Sequence, residues 1–88
     1  MGQAEVKIHC ADMSYELQQD ALQVASLASN RYESHLDIAR YIKKEFEKRR
    51  GGSWNCIVGS CAFHVTHETN GYINFSFGDT EITVFKSA

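Results

Sequence analysis

The stretch "KKEFEKRRGGSWNCIVG", residues 43–59, decides the fold class, because the apolar period changes inside it. Before the two glycines, Ile38, Ala39, Ile42 and Phe46 recur every three or four positions, one stripe of a helix. After them the period is two: Trp54, Cys56 and Val58 share one face of a strand. Gly51 and Gly52 end the helix by permitting positive φ. Lys43, Lys44, Lys48, Arg49 and Arg50 suit the negative end of the helix dipole just before the stop.

Upstream, Ser34 with Asp37 three residues on resembles a capping box and starts this helix. An earlier helix begins at "DMS" with Ser14 as N-cap, carries a stripe of Leu17, Ala21, Val24, Leu27 and Ala28, and ends near Asn30. The opening "AEVKIHC" alternates weakly, as a short strand would. Downstream, "AFHVTHE" sets Phe63, Val65 and His67 against His64, Thr66 and Glu68. Asn70-Gly71 predicts a two-residue type I′ hairpin turn. In "YINFSF", Ile73, Phe75 and Phe77 share a face opposite Tyr72, Asn74 and Ser76; Gly78-Asp79 then turns into a last strand, "EITVFK". This is an α+β pattern, with two helices covering one face of an antiparallel sheet.

With 88 residues the chain suffices for a single domain, residues 1–88, whose own core is modest. Its 43% apolar and 23% charged residues are ordinary for a globular protein, and a net charge of -2 offers no basic face for nucleic acid. "KKEFEKRR" is interrupted by Glu45 and Glu47, which argues against a nucleic-acid or membrane surface. No apolar run reaches the roughly 18 residues of a membrane span, and the N-terminus lacks the apolar core of a secretory signal. Gly2 meets a myristoylation pattern only in part, since position six is Val6. Cys10, Cys56 and Cys61 cannot all pair within one chain and read as free thiols of a reducing cytosol.

His64, His67 and Glu68 invite a metal reading. On a strand, however, His64 and His67 point to opposite sides, and His64 and Glu68 stand about 13 Å apart at ~3.3 Å per residue. No single zinc ion is closed that way. Cys61 with His64 suggests a nucleophile and base, but an idle small thiol is the simpler reading. No phosphate loop or carboxylate pair is present, so neither an enzyme nor a cofactor is expected. The sheet itself has an unusual face. Trp54, Cys56, Val58, Ile73, Phe75, Phe77, Ile82 and Val84 suffice for a core. Asn55, Ile57, Tyr72, Asn74, Ser76, Thr83 and Phe85 lie opposite, either as a solvated surface or as an association surface anchored by Tyr72 and Phe85.

The segments "ADMS", "QQD", "DIA", "IKKEFEK", "IVG", "VTHET" and terminal "FKSA", at their mutual spacings, resemble the small hub-type light chain of dynein motors. The resemblance runs from about Val6 to Ala88, with one residue missing near Cys61 to Phe63. It implies a non-catalytic homodimer of the cytoplasm and cytoskeleton, in which a strand is exchanged between subunits. Extended segments of partners, dynein intermediate chains among them, add beside that strand. The implied peptide-binding residues are Phe63, His64, Val65, Thr66 and His67 on the strand, with His9, His35, Leu36, Tyr72, Asn74, Ser76 and Thr83 lining the groove. Asn55, Ile57, Phe85 and Ser87 fall at the implied dimer interface, Ser87 at the family's phosphorylation position.

Several of these depart from the family pattern. Asn74 and Ser76 stand for tyrosines, His9 and Leu36 for lysines, Asn55 for a histidine and Thr83 for a leucine. The departures cluster on groove and interface, which points to a divergent paralogue with altered or weakened peptide recognition, as in an axonemal (ciliary) or otherwise specialised dynein. A purely structural motor subunit that ignores generic target peptides is the alternative to the peptide-binding hub.

Overall fold

A computed structural model describes residues 5–59 and 67–87. The elements are β1 (Val6–Asp12), α1 (Tyr15–Arg31), α2 (His35–Arg50), β2 (Trp54–Val58), β3 (His67–Phe77) and β4 (Thr80–Ser87). All pairings are antiparallel, in the order β1-β3-β4-β2, and both helices pack on one face. The fold class is the one the period change predicts.

Local chemistry sets the boundaries. The Ser14 hydroxyl accepts from the Leu17 amide at 3.2 Å, and Ser34 from Asp37 at 3.1 Å, so both helix starts are capped as expected. Gly51, at φ 72°, ends α2 with its amide on the Glu47 carbonyl. Asp12 belongs to β1 rather than to a helix start, and Met13 beside it is buried. On α1 the buried stripe is Ala21, Val24, Ala25 and Ala28; Leu27, expected in it, is 40% exposed. Ala25 takes its place, because close contact with the neighbouring helix favours the small side chain.

The expected hairpin at Asn70-Gly71 does not form: β3 runs through both residues as one strand. Only Asn70 has positive φ, 66°, whereas a type I′ turn needs it at both central positions. Pairing shifts between His67↔Ser87 and Tyr72↔Phe85, so the left-handed Asn70 serves a bulge. The Asn70 amide donates to the Asp12 carboxylate at 3.3 Å.

The core joins Phe46 and Ile42 of α2 and Val24 of α1 to Ile73, Phe75, Ile82 and Val84 of the sheet, all fully buried. Burying each such side chain contributes about 1.5–3 kcal/mol. Phe46 meets Trp54 edge to face at 4.8 Å between centroids. Trp54 is further held by its backbone. Its amide donates to Glu47, its carbonyl accepts from Lys43 at 2.7 Å, and its indole N–H reaches the Gly51 carbonyl at 2.9 Å. Lys43 also pairs with Glu47, and these bonds hold the Glu47 carboxyl below its ordinary range. Asp20 of α1 receives both Arg49 and Arg50 of α2, bracing the helix pair.

Candidate functional site

The face of the sheet away from the helices is built by alternation on four strands. β3 supplies Tyr72, Asn74 and Ser76; β4 supplies Glu81, Thr83, Phe85 and Ser87; β2 supplies Asn55 and Ile57. All are half-buried except Thr83, which is 1% exposed. β1 adds His9 and Cys10, which straddle a bulge and meet Ser76 and Asn74.

Four side-chain hydrogen bonds among the described residues tile this face. His9 Nε2 and Ser76 Oγ lie 2.6 Å apart, and Asn55 donates to Ser87 at 2.6 Å. The Asn74 amide donates to Thr83 at 2.7 Å and to Glu81 at 3.1 Å. Where an aromatic side chain would be a flat apolar surface, these polar groups are already engaged with one another. The Tyr72 phenol is pushed above its ordinary range, chiefly by burial, with Cys10 and Glu81 adding negative potential.

β2 is the second feature, because it forms an outer edge of the sheet. Ser87 N donates to Ser53 O at one end of its pairing with β4, and Gly59 N donates to Glu81 O at the other. Antiparallel alternation therefore turns Trp54, Cys56 and Val58 outward. Trp54 is occupied by Lys43 and Glu47, whereas Cys56 and Val58 present their N–H and C=O groups along the edge. Burial pushes the Cys56 thiol up to about 12, which disfavours the nucleophilic thiolate.

His9, Tyr72, Asn74, Ser76, Thr83, Asn55, Ile57, Phe85 and Ser87 thus share one face. His35 and Leu36 open α2 on the other side of the sheet. His35 Nδ1 lies 3.5 Å from where a Cβ on Gly59 would stand, beside the end of β2, and Leu36 is 60% exposed. The backbone of His67 pairs with Ser87 in β3. Phe63, His64, Val65 and Thr66 lie outside the described residues, as do Cys61 and the site of the missing residue, so the readings placed on them fall there too. Glu81 and Cys10 were not anticipated on the open face. Counting back by two from Thr83 reaches Glu81; Cys10 is brought there by a bulge that no sequence period announces.

Fold and face together define a small α+β scaffold with a polar, self-paired sheet surface and an open edge. Comparison with known proteins carries the assignment further. The family profile described as dynein light chain type 1 matches residues 5–87. The cytoplasmic dynein light chain of Emericella nidulans is 44% identical over 84 residues, 94% of this chain and 89% of that protein. Among solved structures, the dynein light chain-like domain of a Fasciola hepatica calcium binding protein superposes with a TM-score of 0.78 at 20% identity, over 97% of this chain and 93% of that one. The corresponding domain of CsTAL3 gives 0.75 at 19%, over 92% and 90%. The structural likenesses speak for the fold. On the profile and the 44% identity, the chain belongs to the dynein light chain family.

Proposed function

We propose that this chain is a non-catalytic light-chain subunit of a dynein motor complex, a homodimeric hub that binds extended segments of partner proteins by β-strand addition. The observation that carries the reading is that β2, at Cys56 and Val58, is an outer strand among the described residues, in a member of this family. An edge strand with unused backbone groups is a template for another strand. The segment around residues 63–68 of a second copy adds there, and a partner segment pairs with Phe63, His64, Val65, Thr66 and His67. His9, His35, Leu36, Tyr72, Asn74, Ser76 and Thr83 contact its side chains, and Asn55, Ile57, Phe85 and Ser87 lie between subunits. Two equivalent grooves permit bivalent capture, which strengthens binding through effective concentration. A dynein intermediate chain is one such partner, and the cytoplasmic, microtubule-associated complex is the location in keeping with the fungal relative's name.

A second reading is favoured by the polar face: Asn74, Thr83 and Glu81 satisfy one another, as do His9 and Ser76. Such a face gives a partner little apolar area, since a buried tyrosine contributes about 150–250 Å². The chain would then be a structural motor or axonemal subunit that ignores generic target peptides. Isothermal titration with an intermediate-chain peptide separates the two readings. Binding with two sites per dimer supports the hub, and a silent titration with a dimer still present supports the structural subunit.

A further inference from the structure

The open face carries a half-buried carboxylate, Glu81, and among the described residues no cation pairs with it. Lys7 occupies the same cross-strand row, Lys7↔Ser76↔Glu81, but two strand spacings away, about 10 Å. Among the described residues the Glu81 carboxylate receives one hydrogen bond, from Asn74. A carboxylate oxygen only accepts, so the Asn74 nitrogen must face it, and the amide orientation is fixed by chemistry. Both amide hydrogens are then committed, one to Glu81 and one to Thr83. What Asn74 leaves for a visitor is its carbonyl oxygen, on the same amide that bonds the carboxylate.

A segment lying over this face would remove water from a charge that has one hydrogen bond among the described residues. Covering an unpaired carboxylate with neutral groups is costly, whereas a cation bonded to it offsets that cost. A guanidinium, with its fork of donors, can span a carboxylate and an adjacent carbonyl better than an ammonium can.

We propose that Glu81 and the Asn74 carbonyl form a specificity subsite that selects a basic side chain, Arg before Lys, in the extended segment the chain binds. This rests on the hub reading above and names the class of segment for it. Glu81→Gln keeps an acceptor for Asn74 and removes only the charge.

The test is selection from a phage-displayed library of random linear peptides, with the wild-type chain, Glu81→Gln and Glu81→Lys as baits. The expected result is a basic residue enriched at one fixed position with wild type. That preference falls about fivefold with Glu81→Gln, the size of a partly exposed ion pair, and gives way to Asp or Glu with Glu81→Lys. Binders without a basic bias, or with the same bias for all three baits, overturn the subsite while leaving the hub reading intact. If no bait yields binders while all three remain folded by circular dichroism, the hub reading fails and the subsite with it.

Discussion

Asn74 and Thr83 stand opposite each other on β3 and β4, and the amide of one donates to the hydroxyl of the other at 2.7 Å. Thr83 is 1% exposed although it lies on the face away from the helices. The open face therefore has a small interior of its own, and that interior is polar. Thr83→Val leaves an Asn74 donor without its acceptor and costs about 1 kcal/mol. Adding Asn74→Leu removes the stranded donor but also the bond to Glu81, so the double variant recovers only part of that loss. Urea midpoints of the two variants and the parent check this.

Glu47 connects acidity to the anchoring of β2. Its carboxyl is held below the ordinary value of 4.5, first by the bond from Lys43, then by that from the Trp54 amide. A depressed folded-state pKa contributes stability that is present above the unfolded value and lost as pH falls through the folded one. Stability of the parent thus declines below about pH 4.5 more steeply than that of Glu47→Gln, which has no proton to take up there. Thermal melts between pH 6 and pH 3 give the comparison.

Phe46→Ala empties the contact between α2 and Trp54, where Phe46 is fully buried. The expected loss is about 3–5 kcal/mol, a large share of the stability of so small a domain. Chemical denaturation monitored by Trp54 fluorescence measures it.

Asn70 holds φ at 66° in the bulge of β3. Asn70→Gly is expected to be close to neutral. Asn70→Val, whose branched side chain resists the left-handed region, costs about 1–2 kcal/mol. Equal melting temperatures for the two variants would remove the bulge from the account.

The two described cysteines are expected to differ in reactivity. Cys10 is exposed, whereas burial lifts the Cys56 thiol to about 12. Iodoacetamide at pH 8 should modify Cys10 well before Cys56 in the folded chain, with the order read by peptide mass mapping.

The change of period around Gly51 and Gly52 was enough to read the helices, the sheet and its two faces from sequence, because burial on one side imposes period 3.6 or period 2 directly. The two serine caps were legible for a similar reason, each resting on a hydrogen bond three residues long. What escaped was set by contacts distant in sequence. Asn70-Gly71 is a hairpin signal locally, but pairing of β3 with β4 on both sides of it, at His67↔Ser87 and from Tyr72↔Phe85, carries the strand straight through. Leu27 fits the helical period, yet the contact with the other helix takes Ala25. On the open face, His9, Tyr72, Asn74, Ser76 and Thr83 were legible by alternation and resemblance. The commitment of the Asn74 amide to Glu81 and Thr83 needed coordinates.

The central claim is that the outer edge of β2 accepts a strand from a second copy in a homodimer. Amide hydrogen exchange at Cys56 and Val58, followed by NMR across a protein concentration series with the mass measured in parallel, tests it most directly. The account predicts that protection at these two amides rises with concentration as the mass moves from monomer to dimer. Rapid exchange at both amides in a sample whose mass is that of a dimer would contradict it.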